Sequence, residues 1–239
     1  MKTQFAPHRN LIAYIGIGLM LLFFLAGCGG GGGGSSPTPV TSFPLQTGYK
    51  TLVANGASWN LSISDTCTGS GSLSTSSPGA ATFEGASVLS VTQTISISFT
   101  NCTPASQVIT ALGYYDTNYN PLGGSILGVE YAVYQAPLPL PLPTSVSVGN
   151  TGVLGTATLY TDSTKTTTTG SRIMSWAIES GTTTTAVVNF ISKKYDMSSQ
   201  LLVTSQARYS INASGTLTLI SIDVQYSTTS TNHFLYTRV

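Results

Sequence analysis

Residues 94–99, Thr-Ile-Ser-Ile-Ser-Phe, alternate strictly between hydroxyl-bearing and apolar side chains. Successive side chains of a β-strand lie on opposite faces, so Ile95, Ile97 and Phe99 are predicted to share one buried face. The other face carries only threonine and serine. A strand that is buried on a single face is typical of antiparallel sheets, and this stretch therefore predicts an all-β, antiparallel domain.

The same period of two recurs along the rest of the chain, with turn-rich stretches between the runs at intervals that suit hairpins. From Val153 to the end, this pattern predicts six consecutive strands, a meander. In the last long strand the apolar positions change parity, which predicts a β-bulge near Leu219. Further strands are predicted from three sets of residues on one face: Val129, Tyr131 and Val133; Met174, Trp176 and Ile178; and Leu201, Val203, Ala207, Tyr209 and Ile211.

One short N-terminal helix is predicted before the first strand. Residues 44–56 begin with proline and end with glycine, and large apolar side chains recur between them at one-face helical spacing. Long, bent strands in a meander favour a strongly curved sheet or half-barrel, and a two-sheet β-sandwich is the alternative. Residues 44–239 are predicted to form this domain as a single unit.

Residues 136–144 alternate proline and leucine inside the predicted domain. Prolines cannot donate ladder hydrogen bonds, so the run is predicted to be extended polyproline II structure. A stiff connector between the first strands and the meander is favoured over a ligand for a proline-recognising module, because no two of these prolines have the spacing of PxxP.

Leu25-Ala26-Gly27-Cys28 closes an uncharged apolar run that begins at Leu11 and follows a basic amino terminus, the pattern of a secretory signal. The tetrapeptide resembles the lipobox of bacterial lipoproteins. That resemblance implies cleavage between Gly27 and Cys28, diacylglycerol on the Cys28 sulfur, and an acyl chain such as palmitate on the new amino terminus. The alternative, an uncleaved signal anchor, is disfavoured because a membrane span needs roughly twenty apolar residues and this run is shorter.

The resemblance also implies a location. Residues 1–27 are predicted to be the signal peptide, and residues 28–43 the lipidated cysteine with a Gly/Ser/Thr/Pro tether. Acyl chains stabilise membrane attachment by about 0.8 kcal/mol per buried methylene, so the chain is expected to be anchored to the bilayer without spanning it. In Gram-negative lipoproteins an aspartate after the cysteine favours the inner membrane. Gly29 stands there instead, which implies the outer membrane, with its periplasmic side preferred and the leaflet left open.

Charged side chains are scarce, at 7% of the sequence against about 25% in average domains. Without Lys2 and Arg9 of the signal peptide, seven basic residues face eight acidic ones. This balance argues against a nucleic-acid partner. The expected partners are the membrane, through the acyl anchor, and a lipid, peptide or glycan ligand.

Cys67 and Cys102 are the cysteines that remain once Cys28 carries lipid. Oxidation is the default in an exported chain, so a disulfide between them is predicted. A metal thiolate pair or a redox couple is disfavoured, because there is no CxxC motif and His233, the one histidine beyond the signal peptide, is far away in sequence.

Motifs of known catalytic chemistry, such as GxSxG and HExxH, are absent from the sequence. We therefore predict no catalytic residue, metal ligand or cofactor, and a protein that is not an enzyme. For His233, an exposed surface position is favoured over a general base. Asp116, Asp162 and Asp196 precede turns, where binding of turn amides is favoured over binding of calcium or sugar.

Five tyrosines before the Pro-Leu run are the candidate ligand-binding residues. Amphipathic aromatic faces bind sugars, peptides and lipids, although cross-strand pairing in the sheet is their favoured role. These residues are Tyr114, Tyr115, Tyr119, Tyr131 and Tyr134.

The sequence thus predicts a lipid-anchored outer-membrane lipoprotein with a non-enzymatic β-rich binding or structural domain. Apart from the lipobox, it resembles envelope lipoproteins without an assigned activity. Two alternatives are an envelope glycan-active enzyme using a carboxylate pair, and a surface adhesion module. An open apolar interior would favour a carrier, and a filled core would favour a binding or scaffold module.

Overall fold

The fold was analysed in a computed structural model that describes residues 39–136, 141–227 and 232–239. The predicted signal peptide, Cys28 and most of the predicted tether lie outside the described residues, as do residues 137–140 of the Pro-Leu run. The elements are α1 Leu45–Asn55, β1 Ala57–Asp65, β2 Gly69–Thr75, β3 Gly79–Phe83, β4 Ala86–Phe99, β5 Ser106–Tyr115, β6 Pro121–Ile126, β7 Glu130–Tyr134, β8 Thr151–Tyr160, β9 Thr168–Ser180, β10 Thr185–Tyr195, β11 Leu201–Asn212, β12 Leu217–Tyr226 and β13 His233–Arg238.

The strands close on themselves. From β4 each strand pairs with the next as far as β13, which pairs with β1; β1 pairs with β2, and β2 returns to β4. Twelve antiparallel strands thereby form a closed barrel, with β3 paired to the first part of β4 outside the ring. The all-β class and the short helix before β1 are confirmed. The predicted open curved sheet or half-barrel and the β-sandwich alternative are wrong. β2 and β4 pair with each other although β3 lies between them in sequence. Local alternation of apolar residues does not encode this pairing.

The alternating residues fill the barrel as predicted. Ile95, Ile97 and Phe99 are buried on the inner face of β4, and Met174, Trp176 and Ile178 of β9 are buried as well. The C-terminal meander is confirmed as β8 to β13. The bulge is confirmed too: the pairing register of β11 and β12 shifts between Arg208 and Tyr209, opposite Leu219.

The prediction of which side chains of β7 face the barrel interior is wrong. Glu130, Ala132 and Tyr134 lie on the inner face, whereas Tyr131 packs outside, in a small cluster with Phe83 of β3. The ring centroids of Phe83 and Tyr131 are 5.5 Å apart. Because the β3–β4 hairpin covers the outer faces of β5 to β7, both faces of β7 are buried, and alternation no longer identifies the inner one.

Helix α1 covers one end of the barrel. Pro44 and Gly56 flank it as predicted, and a side chain at Gly48 would collide with the backbone carbonyl of Gly215 in the β11–β12 turn. The N–H of Val40 donates to the carbonyl of Thr183 in the β9–β10 turn, at 2.9 Å. We call this the plugged end. No helix in the described part of the chain is long and apolar enough to cross a membrane.

The chain after the Pro-Leu run also packs at the plugged end. Phe43 and Val146 exchange two backbone hydrogen bonds of 2.8 and 2.9 Å, and the N–H of Gln46 donates to the carbonyl of Pro143. Leu142 is buried. The segment that leads into β8 therefore joins the residues preceding α1 in closing the barrel.

Cys67 and Cys102 form a disulfide at the opposite end, which we call the disulfide end. It joins the β1–β2 turn to the β4–β5 loop, with the two Cα atoms 5.8 Å apart. The predicted cysteine pairing is thus confirmed. Since β2 and β4 are the strands whose pairing closes the barrel, the covalent bond lies next to that closure.

Candidate functional site

Three ionisable side chains meet inside the barrel: Glu130 of β7, Arg172 of β9 and Lys194 of β10. Arg172 Nη2 lies 2.8 Å from Glu130 Oε1, and Lys194 Nζ lies 2.6 Å from Glu130 Oε2. Their side chains are only 2%, 1% and 10% exposed for Arg172, Glu130 and Lys194, respectively. We call this group the interior ion cluster.

Strand parity places the cluster. Arg172 has the parity of the inward-facing Met174, and Lys194 has the parity of the inward-facing Phe190; the two cations are direct partners in the β9–β10 register. None of the three residues was among the predicted site residues, because each stands alone in sequence. The signal that could have identified these residues is a charged side chain at a strand position where alternation predicts a buried apolar one.

The cluster contains two cationic groups and one carboxylate. Burial is the largest influence on Lys194 and lowers the pKa of its ammonium group, while Glu130 raises that pKa. Arg172 has no corresponding way to become neutral, because a guanidinium does not lose its proton in proteins. When all three groups are ionised, these three side chains together carry one more positive than negative charge.

A cavity of about 30 Å³ lies on the other side of Arg172, between the sheet and α1. Arg172 Nε and Nη1 are buried and have no hydrogen-bond partner among the described atoms. This volume suits a particle about the size of water. The lining residues are Tyr49, Tyr115, Pro121, Gly123, Ala132, Tyr134, Leu154, Ala157, Arg172 and Met174.

Three phenol groups line this cavity together with the guanidinium. Burial raises the pKa of Tyr134 to about 12, with Arg172 acting in the opposite direction. Burial likewise raises the pKa values of Tyr49 and Tyr115 above the ordinary value for tyrosine. These hydroxyls therefore keep their protons at neutral pH, so the side chains around the cavity include N–H and O–H donors.

The five predicted tyrosines do not form one surface. Tyr115 and Tyr134 line the cavity, whereas Tyr114 and Tyr131 pack with Phe83 on the outside of the barrel. Tyr119 lies in the β5–β6 turn, partly buried against the core. Tyr49 was missed as their partner, although the predicted inner face of the helix included it.

Tyr131 takes part in an outer hydrogen-bonded group. Its hydroxyl donates to Glu84 Oε1 at 2.7 Å, and Lys165 contacts the other oxygen of Glu84. The hydrogen bond from Lys165 is the main reason that the pKa of Glu84 is lowered. These contacts fasten the tip of the β3–β4 hairpin to the barrel wall.

His233 lies on the outer wall between two carboxylates. Its Nε2 is 3.0 Å from Asp223 Oδ1, and its Nδ1 is 3.4 Å from Asp65 Oδ2. Arg208 continues this row, between Asp223 and Glu179. The histidine side chain is 37% exposed, as expected for a surface residue. Among the described residues there is no group of three or more His, Cys, Asp or Glu that could hold a metal ion.

The turn role of the three aspartates is confirmed. Asp116, Asp162 and Asp196 each accept a hydrogen bond from the backbone N–H two residues later, at 2.7, 2.8 and 2.8 Å. The side-chain hydrogen bond from Thr164 lowers the pKa of Asp162, and the backbone N–H of Gln200 contributes most to lowering that of Asp196. Their oxygens are thus engaged locally.

A shallow depression of about 310 Å³ lies on the outer wall where β2, β4 and β5 are adjacent. Five of its nine lining residues are serines, and Val108 beside them is 68% exposed. An open hydroxyl-lined surface is better suited to a polar partner than to an acyl chain. Its serines are Ser70, Ser72, Ser96, Ser98 and Ser106.

Comparisons with protein-family models, with curated proteins and with solved structures gave no match to this chain. Functional reasoning therefore depends on its own residues.

Proposed function

We propose that the protein is a lipid-anchored lipoprotein of the outer membrane whose barrel is a non-enzymatic binding or structural module. The lipobox residues Leu25 to Cys28 support the anchor. The observation that carries the proposal is where the tether reaches the barrel: Val40 is hydrogen-bonded to Thr183 at the plugged end. A chain anchored through Cys28 would hold that end toward the bilayer and leave the disulfide end facing away.

The filled interior supports a binding or structural role over a carrier role. Phe190, Tyr209 and Tyr236 are at most 1% exposed inside the barrel. The cavity beside Arg172 measures about 30 Å³, whereas pockets for small-molecule ligands measure roughly 300 to 1,000 Å³. An acyl chain therefore does not fit into this cavity, and partners would bind on the outer wall or at the disulfide end.

Metabolic labelling tests the anchor. The full chain is expressed in a Gram-negative host that is fed a clickable palmitate analogue, and the label on the protein is measured by gel fluorescence. We expect label on the wild type and none on Cys28→Ser, while the double variant Cys67→Ser and Cys102→Ser stays labelled. An unlabelled wild type, or label that persists in Cys28→Ser, would refute the proposed anchor.

The residue after the lipidated cysteine provides a test of location. Gly29→Asp introduces the inner-membrane retention signal of Gram-negative lipoproteins, and Gly29→Asn is the matched uncharged control. On density-separated membranes, the wild type and the control are expected in the outer-membrane fraction and Gly29→Asp in the inner one. Wild-type protein in the inner-membrane fraction would refute the proposed location.

An envelope glycan-active enzyme is the second candidate, and the convergence of Asp65 and Asp223 on His233 is the observation that favours it. These three groups lie on the outer wall of the barrel. Three other carboxyl groups, those of Glu84, Asp162 and Asp196, have lowered pKa values. A glycosidase acid needs a raised pKa instead. Release of reducing ends from peptidoglycan by the wild type, lost in Asp223→Asn, would establish the enzyme. No release by the wild type supports the binding module.

The adhesion alternative requires the barrel on the cell surface, whereas the main proposal has it on the periplasmic side of the outer membrane. Protease added to intact cells is expected to leave the barrel intact if the protein faces the periplasm, and to digest it after the outer membrane is permeabilised. Digestion in intact cells would place the barrel on the cell surface and favour adhesion.

A further inference from the structure

We propose that the cavity beside Arg172 binds one small monovalent anion of the size of chloride inside the barrel. This site goes beyond the envelope function proposed above and does not depend on it. It is supported by the charge of the interior ion cluster, by the chemistry of the cavity lining and by the cavity volume.

The charge of the cluster calls for an anion. Glu130 contacts both Arg172 and Lys194 within 2.8 Å, and these three side chains are at most 10% exposed. The two cations share this carboxylate, and buried guanidinium N–H groups without a hydrogen-bond partner among the described atoms, such as Nε and Nη1 of Arg172, are costly. An anion beside Arg172 would make the ionised cluster neutral.

The donors around the cavity also favour an anion. Glu130 lies against Nη2 of Arg172, but Nε and Nη1 of the guanidinium have no hydrogen-bond partner among the described atoms, and both are buried. The lining contains no carboxylate, and its other ionisable groups are the phenols of Tyr49, Tyr115 and Tyr134. Guanidinium N–H groups and phenol O–H groups can donate to an anion, whereas the lining residues offer a cation no carboxylate.

The volume restricts which anions fit. A cavity of about 30 Å³ has room for a particle about the size of water, and a halide is of that order. Tetrahedral oxyanions and carboxylate ligands with a carbon chain are larger than the space. The proposed ligand class is therefore a halide, and chloride is the abundant one.

Helix α1 couples this site to folding, because its Tyr49 forms part of the cavity wall. An anion held between the helix and the sheet binds the folded chain and not the unfolded one. Binding of that kind increases the folding equilibrium constant by the factor 1 + [L]/Kd. Above its Kd, a tenfold rise in chloride should therefore increase that constant about tenfold.

The test measures this linkage on the full chain in non-ionic detergent. Urea unfolding is followed over a chloride series, with gluconate replacing chloride so that ionic strength stays constant. We expect a slope of about one anion per unfolding event, and the same slope for the surface variant Arg208→Met. Arg172→Met should lose the slope. A wild-type slope of zero overturns the proposal, as does an unchanged slope in Arg172→Met.

Crystals of the wild type grown in sodium bromide provide a second measurement if Arg172→Met does not fold. We expect an anomalous bromine peak within hydrogen-bond distance of Arg172 Nε or Nη1. Water density there, without an anomalous signal, would show that the cavity is only hydrated and would overturn the proposal. Neither measurement uses lipidation, so its result is separable from that of the palmitate labelling.

Discussion

Glu130→Gln is the substitution that most directly tests how the interior ion cluster contributes to the fold. It keeps the shape of the side chain and removes its charge. In the wild type, the two carboxylate oxygens lie 2.8 Å from Arg172 and 2.6 Å from Lys194. A glutamine would place a neutral amide between two buried cations.

The size of the expected loss of stability in Glu130→Gln follows from the burial of the cluster. Removing one partner of a buried ion pair costs about 3 to 5 kcal/mol, because the remaining charge is uncompensated. Lys194 can release its proton, since burial already lowers its pKa and Glu130 is the group that raises it. Arg172 cannot do so. We therefore expect the free energy of unfolding of Glu130→Gln to be lower by about 3 kcal/mol at neutral pH, at the low end of that range.

The variant should also carry a pH signature. A lysine whose folded pKa lies below its unfolded pKa binds fewer protons in the folded state, so stability rises as pH increases from the folded toward the unfolded value. Losing Glu130 lowers the folded pKa of Lys194 further. The deficit of the variant relative to wild type should therefore shrink from neutral toward mildly alkaline pH.

Urea unfolding of the full chain, followed by tryptophan fluorescence, measures both effects. Glu179→Gln is the matched control: Glu179 also pairs with an arginine, Arg208, but is 40% exposed, and such surface pairs are worth about 0 to 1 kcal/mol. If Glu130→Gln is no less stable than Glu179→Gln, the reasoning on the buried cluster is refuted.

Three further predictions concern the rest of the fold. Replacing Cys67 and Cys102 by serine removes a crosslink that spans 35 residues and should lower the urea-derived free energy of unfolding by about 4 kcal/mol; an unchanged midpoint contradicts this. Gly123→Ala places a methyl group against an aromatic ring and a carbonyl and should cost about 1 to 3 kcal/mol, while Gly79→Ala, which meets open space, should leave stability nearly unchanged. Buried tyrosines such as Tyr209 have raised pKa values, so each should reduce stability by about 1.4 kcal/mol per pH unit above about pH 10; phenolate absorbance that reaches the value of the fully unfolded chain before unfolding would contradict this.

Local alternation predicted strands well wherever one face meets solvent. Ile95, Ile97 and Phe99 were assigned to the inner face correctly, because the hydroxyls between them remain outside. The rule failed at Tyr131, because the β3–β4 hairpin supplies an apolar cover on the outside as well. Periodicity reports which face is apolar, and it cannot report what covers that face.

Closure and the interior cluster were not predictable for a different reason. The β2–β4 pairing and the contact between Glu130 and Lys194 depend on which strands become neighbours. Such non-local contacts produce no characteristic spacing of residues in the sequence. The cysteines were an exception, because the predicted export of the chain to an oxidising compartment predicts that they pair wherever the fold brings them together.

The width of the barrel links its closure to the plug and to the buried ions. Side chains just fill a barrel of about eight strands, and larger barrels leave space within. Here twelve strands form the closed barrel, so the side chains of the strands alone do not fill its centre. Tyr49 of α1 fills part of it by packing on Phe190, with ring centroids 6.2 Å apart. Long side chains such as Arg172 and Lys194 reach inward as well. On this reasoning, α1 belongs to the core of the barrel, and the tether ends before it.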